Sequence, residues 1–246
     1  MEKGERIYAV VTGASRGLGL AITKKLACIG YNIFACMSQE HGSFLREKET
    51  IEKINNVSVE PLYFDMSDTQ QIKDAYKKIQ NYGISCLVNN AGIGHMNHLQ
   101  LTRFDAIEKM YAVNVLAPIL LTQLVVRNMQ KRHYGRIVNV VSTAAFEVYE
   151  GNSIYGSTKA ALSAFTKSAA SEFYRYGITI NAVAPGLMDT EMASIFEGKN
   201  PAEPLNHTPL GRKLSVDEVA DTVLLFLEDK MSVVNGEILT VSGGHK

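Results

Sequence analysis

Short apolar runs alternate with longer amphipathic stretches along the whole chain. The runs are nearly continuous and rich in β-branched residues, which is typical of parallel strands that helices cover on both faces. The predicted strands are Ile7 to Thr12, Asn32 to Met37, Val57 to Phe64, Cys86 to Asn89, Arg136 to Val141, Thr179 to Ala184, and Glu237 to Val241. The predicted helices begin near Gly17, Ser43, Asp68, Arg103, Asn114, Ser153 and Ser215.

This alternation predicts a single α/β domain over residues 1–246, with a Rossmann-like, doubly wound, parallel seven-stranded sheet and helices on both faces. One region interrupts the pattern. From Leu187 to Arg212 the chain carries three prolines and weak periodicity. A segment this long outside a sheet is typical of a functional lid, so we predict a substrate lid at about 187–212. A disordered excursion is the alternative.

Charge and cysteine content narrow the classes of function. Lys+Arg and Asp+Glu number 25 each, so no basic excess exists to neutralise nucleic acid, and we expect no such partner. The N-terminus is too short and too charged for a signal peptide, and we found no apolar run of membrane-spanning length, which favours the cytoplasm. Cys28, Cys36 and Cys86 lie in apolar segments without metal-binding spacing, so we expect three buried thiols and no metal.

A glycine-rich turn follows the first strand and opens the first helix. Such a turn lets a diphosphate approach the backbone, and the helix supplies free N–H groups and the positive end of its dipole. Its place between strand and helix is the context that a dinucleotide-binding turn requires. An ordinary tight turn is the alternative. The residues that we expect to bind a dinucleotide here are Gly13, Ser15, Arg16, Gly17, Leu18 and Gly19.

The end of the second strand indicates which nicotinamide cofactor would bind. NAD sites normally place an acidic residue there to bond the ribose 2′-hydroxyl. Here the strand ends in Met37 and Ser38, and Glu40 lies beyond the strand end, where we expect it to be solvated. Arg16 could instead pair with a 2′-phosphate through its planar guanidinium. The sequence therefore favours NADP(H), with Met37 and Ser38 beside the cofactor.

A tyrosine and a lysine lie four residues apart on one helix face, at Tyr155 and Lys159. A free tyrosine has a pKa near 10, and we expect the lysine to lower that pKa. Ser142 follows the fifth predicted strand, at the carboxyl edge where ligands bind in such sheets, and its hydroxyl could hold a substrate oxygen. A tyrosine–lysine pair alone is common on helices, so the interpretation depends on its occurrence together with the glycine turn.

The ordered set of motifs resembles the short-chain dehydrogenase/reductase family, and the resemblance covers essentially the whole chain. The matching segments are Thr12-Gly13-x-x-x-Gly17-x-Gly19, Asn89-Asn90-Ala91-Gly92, Asn114, Ser142, Tyr155-x-x-x-Lys159, and Pro185-Gly186 with Thr190. The resemblance implies an oxidoreductase in which hydride passes from a nicotinamide to a carbonyl carbon. Tyr155 would protonate the forming alkoxide, Ser142 would position it, and Lys159 would tune the tyrosine and bind the nicotinamide ribose.

The same resemblance assigns further roles. Asp65 and the Met66 backbone would meet the adenine, and Asn114 would hold a water that leads from Lys159 to solvent. Backbone hydrogen bonding is the alternative role for Asn114, and for Asn89 we prefer that alternative. The other residues expected along the cofactor are Asn90, Ala91, Gly92, Pro185, Gly186, Met188 and Thr190.

Within the family the chain is most similar to bacterial 3-oxoacyl-(acyl-carrier-protein) reductases. This similarity implies reduction of an acyl thioester, and basic residues near the active-site mouth that engage an acyl-carrier protein. Arg132 matches one such position, whereas the other is Tyr176, with Arg175 adjacent. A C-terminal Asp-Gly-Gly of that group is Ser242-Gly243-Gly244 here. A sugar, polyol or other small ketone therefore remains an alternative substrate, and a non-catalytic dinucleotide sensor is a third hypothesis.

The family resemblance also implies a homotetramer, or a homodimer, that packs through the helix from Ser153 to Tyr176 and the helix from Asn114. Small residues on the first of these helices permit close approach of another helix. The alternative is that they seat the helix on its own sheet. These small residues are Ala160, Ala161, Ala164, Ser168 and Ala169.

Overall fold

The computed structural model describes residues 7–148, 150–195 and 209–244 of the chain. Seven strands of these residues form one sheet in which every neighbouring pair is parallel. The sheet order is β3-β2-β1-β4-β5-β6-β7. In chain order the strands are β1 (Tyr8–Thr12), β2 (Asn32–Met37), β3 (Val59–Tyr63), β4 (Ile84–Asn89), β5 (Gly135–Val140), β6 (Ile178–Pro185) and β7 (Ile238–Val241).

The α-helices connect these strands and lie close to the predicted positions. They are α1 (Gly17–Cys28), α2 (Gly42–Asn55), α3 (Thr69–Ile79), α4 (Phe104–Tyr111), α5 (Ala117–Arg132), α6 (Ser153–Phe173) and α7 (Val216–Leu225). The prediction of separate helices from Arg103 and Asn114 was wrong, because a π-helical turn, Ala112–Leu116, joins α4 to α5 without a break. The turn Ala112–Leu116 itself contains no glycine or proline, and Pro118 lies in the first turn of α5.

Two large hydrophobic cores lie on opposite faces of the sheet, and a small third cluster contains Val141 and Leu162. Alternate residues of a strand point to opposite faces, so Ala9 and Val11 of β1 join one core and Tyr8 and Val10 join the other. Residues of α1, α2 and α7 complete the first core, and residues of α3, α5 and α6 complete the second. Helices therefore cover both faces, which confirms the predicted doubly wound architecture.

The strand order reverses between β1 and β4, the first strands of the two halves of the sheet. Loops that leave neighbouring strands in opposite directions open a crevice at the carboxyl edge, and ligands of such sheets bind there. The loops that follow β1 and β4 carry the glycine turn and the Asn90 segment. The fold thus brings the predicted cofactor motifs to one place.

The joined helix Phe104–Arg132 is long and apolar enough to cross a membrane by length and composition alone. In this fold 56% of its most apolar window is buried. Core helices that pack on a sheet meet the same criterion, so it is weak evidence for a membrane span.

The three cysteines differ in burial. Cys36 and Cys86 are buried as predicted, and burial raises the pKa of the Cys36 thiol to about 12. The prediction for Cys28 was wrong, because it is the last residue of α1 and is exposed. All three thiols are free.

The predicted lid leaves the sheet directly after β6 and is closed at its base. Leu214 N–H donates to Leu187 O at 2.9 Å, and Asp189 N–H donates to Leu214 O at 2.9 Å. A short 3-10 helix, Glu191–Ile195, follows. Residues 196–208 of the predicted lid lie outside the described residues.

Candidate active site

Close backbone packing shapes the glycine turn after β1. A Cβ atom on Gly19 would collide with the carbonyl oxygen of Gly13, so no larger residue could let α1 begin where it does. Asn90 Nδ2 donates to Thr12 O at 2.9 Å, and the Thr12 hydroxyl accepts from the N–H groups of Asn90 and Ala91 at 3.0 and 2.9 Å. These bonds fix the glycine turn to the loop after β4. Asn90 therefore supports the turn from the neighbouring strand.

The N-terminus of α1 is open to an anion. Arg16 is its N-cap residue, and the Arg16 side chain makes no capping hydrogen bond to the first turn. The first turn of α1 also contains no acidic residue. Free N–H groups and the positive end of a helix dipole therefore face the crevice, an arrangement that fits a dinucleotide diphosphate.

The ribose end of the crevice lacks an acidic residue at the tip of β2, as the sequence indicated. Met37 is buried at the strand end, Ser38 is exposed beside it, and Glu40 is exposed beyond the strand. Arg16 has a partner that we did not predict: its Nη1 lies 2.8 Å from Glu191 Oε2. This ion pair could not be predicted from the sequence, because the two residues meet only when β1 and β6 lie in one sheet.

Asp65 follows β3 and lies where the adenine was expected. Its Oδ1 accepts hydrogen bonds from Ser67 N at 2.8 Å and Ser67 Oγ at 2.7 Å. These bonds hold the pKa of the Asp65 carboxyl below its usual value. The Asp65 side chain is therefore fixed as a carboxylate, with half-buried Met66 next to it.

The structure brings Ser142, Tyr155 and Lys159 together, although they come from two elements. Ser142 lies two residues after the end of β5 and caps the short 3-10 helix Thr143–Ala145, where its Oγ accepts from Ala144 N at 3.2 Å. Helix α6 packs directly on that segment, because a Cβ on Gly156 would lie only 2.7 Å from Ala144 O. This close approach places the Tyr155 hydroxyl within hydrogen-bonding distance of Ser142.

Burial dominates the protonation of both groups on α6. It raises the pKa of Tyr155 to about 12, and the hydrogen bond with Ser142 opposes that rise. Burial also lowers the pKa of Lys159 to about 8. Our expectation that Lys159 gives the phenol a low pKa was therefore wrong for the protein alone: Lys159 Nζ lies 5.8 Å from the Tyr155 ring centre and donates to Val140 O at 3.0 Å. Tyr155 is thus a neutral phenol at pH 7.

Asn114 lies at the centre of the π-turn and is fully buried. Its Oδ1 accepts from Ile93 N at 2.9 Å, and its Nδ2 donates to Ile93 O at 2.8 Å and Thr158 Oγ1 at 3.1 Å. The side chain therefore ties the loop after β4 to α6. A Cβ on Gly92 would lie 3.3 Å from Asn114 Oδ1 and 3.4 Å from Lys159 Nζ, so both groups border the same backbone.

Asn89 takes part in a buried side-chain network, and the backbone role that we preferred for it was wrong. Its Nδ2 donates to Asn139 Oδ1 at 2.8 Å and Thr122 Oγ1 at 3.3 Å. Asn139 in turn donates to Thr166 Oγ1 at 2.8 Å. The network links β4 and β5 to the helices α5 and α6, and so fixes the elements that carry the site.

The residues expected at the nicotinamide lie at the base of the lid. Pro185 ends β6, and Gly186 N–H donates to Val241 O at 2.8 Å, which joins this point to β7. Met188 pairs with Leu214, and Thr190 borders the glycine turn, with its Cγ2 3.6 Å from a Cβ built on Gly17. The start of the lid therefore faces the start of α1 across the crevice.

Two loops that the sequence did not single out, the loop after β4 and the loop before α6, contact each other. Asn97 N–H donates to Gly151 O at 3.0 Å, which joins the loop after β4 to the loop before α6. His98 Nδ1 lies 3.6 Å from Glu150 Oε1 and adds a second contact between the loops. The same loops and the start of the lid carry exposed apolar side chains: Leu99, Leu101, Phe146, Val148 and Met192.

The basic residues that we expected near the mouth of the active site do not lie near the crevice of their own chain, so that expectation was wrong for a single subunit. Arg132 ends α5 beside Gly83, which precedes β4, and Arg175 stacks on Tyr176 just before β6. Both positions are at the amino edge of the sheet, opposite the crevice. Among residues 7–148, 150–195 and 209–244, no cluster of His, Cys, Asp or Glu could hold a metal ion.

Comparison with known proteins gives the family. The family model for short chain dehydrogenases matches residues 8–200. The chain is 35% identical to the 3-oxoacyl-[acyl-carrier-protein] reductase FabG of Aquifex aeolicus, over 96% of both chains. It is also 35% identical to L-xylulose reductase of Caenorhabditis elegans, over 96% of this chain and 94% of that one.

A solved structure shows the same fold. YwfH, an NADPH dependent reductase involved in bacilysin biosynthesis, superposes with a TM-score of 0.90 at 25% identity, and 98% of each chain is covered. The fold, the crevice and these matches agree, and the chain belongs to the short-chain dehydrogenase/reductase family of oxidoreductases.

Proposed function

We propose that the protein reduces a ketone to a secondary alcohol with NADPH. The observation that carries the proposal is the contact between half-buried Ser142 and buried Tyr155, with Lys159 one helical turn away, beside the N-terminus of α1. When bound, the nicotinamide cofactor supplies the hydride that reduces the carbonyl carbon.

Residues of the chain would supply the proton that completes the reduction. Because burial raises the pKa of Tyr155 to about 12, this phenol holds its proton at pH 7 and can donate it to a forming alkoxide. Ser142 donates its hydroxyl hydrogen to the same oxygen and holds it in place. Lys159, with a pKa of about 8, is charged at neutral pH and stabilises the phenolate that remains.

The cofactor would lie along the carboxyl edge from β3 to β6. Arg16 and Ser38 would meet the 2′-phosphate and Asp65 the adenine, and Lys159 would bond the nicotinamide ribose. Asn114 would carry the proton path from Lys159 toward solvent through a water molecule. The remaining contacts are proposed for Gly13, Ser15, Gly17, Leu18, Gly19, Met37, Met66, Asn90, Ala91, Gly92, Tyr155, Pro185, Gly186, Met188 and Thr190.

We infer that the substrate is a 3-oxoacyl thioester, linked to acyl-carrier protein or coenzyme A. Two observations support this: the similarity to FabG and the exposed apolar side chains on the loop that follows Ser142, such as Phe146 and Val148. An apolar surface suits an alkyl chain better than a polyol. The second candidate is a sugar or polyol, which the equal identity to L-xylulose reductase favours.

The partners follow from the same reasoning. Because Arg132 and Arg175 lie at the amino edge, a carrier protein that contacts them would have to serve the crevice of another subunit. Four of the five small residues on α6 are exposed or half-buried, so they face away from their own sheet and support a homotetramer or homodimer. We place the protein in the cytoplasm, with no membrane or nucleic-acid partner.

Turnover of NADPH on defined substrates tests the proposal. Acetoacetyl thioesters, L-xylulose and simple ketones are compared at equal concentration, with NADPH and with NADH. We expect the thioester to be reduced at least about tenfold faster than the sugar, and NADPH to exceed NADH. Inactivity on all thioesters together with turnover of the sugar would establish the second candidate instead.

A further inference from the structure

Arg16 and Glu191 form an ion pair across the crevice. The pair joins the glycine turn to the 3-10 helix Glu191–Ile195 that follows β6, with Arg16 Nη1 2.8 Å from Glu191 Oε2. Thr190 next to Glu191 borders Gly17, so the pair lies beside the start of α1. Glu191 therefore binds the Arg16 guanidinium, which the proposed function assigns to the cofactor.

The proposed function gives the Arg16 guanidinium a second anionic partner, the 2′-phosphate of NADPH. A guanidinium can bind a carboxylate or a phosphate, but two anions on one cation repel each other. A phosphate at Arg16 must displace the Glu191 carboxylate or lie next to it, and either outcome weakens binding. NADH carries a hydroxyl at that position and does not require Arg16.

We infer that Glu191 is a selectivity residue of the cofactor site: through its ion pair with Arg16 it weakens the binding of NADPH and leaves the binding of NADH nearly unchanged. The inference rests on the proposed function, because a nicotinamide dinucleotide has to bind at the glycine turn. The side chains of Arg16 and Glu191 are 69% and 76% exposed, so solvent screens the pair and the effect is moderate.

The variant Glu191→Gln removes the charge and keeps the shape of the side chain. Exposed ion pairs of this kind change affinity by about two- to fivefold. We expect the Kd of NADPH to fall by that factor and the Kd of NADH to stay within about 1.5-fold. Fluorescence titration of each dinucleotide in low salt measures both constants, and about 0.5 M NaCl should reduce the difference.

A double-mutant cycle separates an effect through Arg16 from direct repulsion of the cofactor. In an Arg16→Gln background, Glu191→Gln should no longer change NADPH affinity. The matched control is Glu47→Gln, because Glu47 forms an exposed ion pair of the same 2.8 Å length with Lys24, on α2 and α1 away from the crevice. This control should leave both affinities unchanged.

Three outcomes would overturn the inference: no change in NADPH affinity, an equal gain for NADPH and NADH, or a gain that persists without Arg16. Titration of the unaltered protein comes first and tests the proposed function separately. If it binds neither dinucleotide, the proposed function fails and this inference fails with it. If it binds NADPH and Glu191→Gln has no effect, only the inference fails.

Discussion

Two cations are buried to the same extent in this molecule, one at each edge of the sheet. Lys159 at the carboxyl edge and Arg136 at the amino edge are each 4% exposed. Arg136 donates to Gly177 O at 3.2 Å and Asp229 Oδ1 at 3.2 Å, and it stacks on the Tyr134 ring at 4.4 Å. Asp229 therefore balances the charge of Arg136, as expected of a structural residue, although Arg136 Nε has no hydrogen-bond partner among the described residues.

Lys159 is compensated less. Its Nζ donates to the Val140 carbonyl, and no acidic group in the described residues contributes to its pKa, which burial lowers to about 8. A lysine in such surroundings costs stability and would be replaced by an apolar residue if folding alone mattered. The comparison shows that two equally buried cations can have different roles. Arg136 has an acidic partner and is structural, whereas Lys159 has none among the described residues and lies where the proposed chemistry needs a charge.

The largest expected effect is on turnover. Lys159→Met should reduce the turnover number about 10²–10⁴-fold, because the phenolate of Tyr155 would lose its stabilising charge. Arg136→Met should leave turnover within about twofold in protein that remains folded, since Arg136 lies at the opposite edge. NADPH oxidation at pH 7 with the best substrate measures both. Similar losses in the two variants would break the comparison.

The two substitutions should change the free energy of unfolding in opposite directions. Arg136→Met should lower the free energy of unfolding by about 2–4 kcal/mol, because the carbonyls of Gly135 and Gly177 and the Asp229 carboxylate lose a charged donor. Lys159→Met should raise it by roughly 1–3 kcal/mol at pH 7, as burial lowers the lysine pKa from 10.5 to about 8. Urea unfolding measures both changes.

The sign of the lysine effect can be checked with pH. The folded protein penalises the charged lysine, so the penalty is complete below about pH 8 and disappears as pH rises to 10.5. The gain from Lys159→Met should therefore vanish by that pH. A gain that stays constant up to pH 10.5 would indicate better packing of the methionine rather than relief of a buried charge.

Hydroxyl groups at the two edges offer a smaller, matched test. Ser142→Ala should reduce turnover about 10- to 100-fold, because it removes the donor that positions the substrate oxygen. Tyr134→Phe removes the hydroxyl that donates to Asp229 at 2.9 Å at the amino edge. This variant should cost about 1 kcal/mol of stability and leave turnover unchanged. Equal turnover in the two variants would contradict the assignment of Ser142.

The smallest expected effect is the pH dependence of the reduction rate. The rate should fall as pH rises through about 8, where Lys159 loses its charge, by up to about tenfold at pH 9. Tyr155 keeps its proton over this range because its pKa is raised to about 12. A rate that stays level up to pH 10 would show that the charge of Lys159 does not limit the reaction.

The fold was predictable because its signals are local. Continuous apolar strands, the glycine turn after β1 and the four-residue spacing of Tyr155 and Lys159 each depend on neighbours in the chain. The family and the sheet are confirmed, and the roles of the individual site residues stay predictions. The structure brings Ser142, Tyr155, Lys159 and Asn114 to one region, as those predictions require.

The features that the sequence could not supply all depend on distant contacts. The π-turn keeps α4 and α5 continuous, and its Asn114 bonds with residues 21 and 44 positions away. The pair of Arg16 and Glu191 exists only because the loops after β1 and β6 meet. The pKa of Tyr155 rises because tertiary packing buries the phenol, and spacing along a helix contains no information on that burial.

The most direct test of the account is the single-turnover rate of NADPH oxidation by Tyr155→Phe. The account predicts a loss of at least about 10³-fold with NADPH affinity within about twofold of the unaltered protein, because the ring remains and only the transferable proton is removed. A rate within tenfold of the unaltered protein, at equal NADPH binding, would contradict the claim that the Tyr155 hydroxyl supplies the proton.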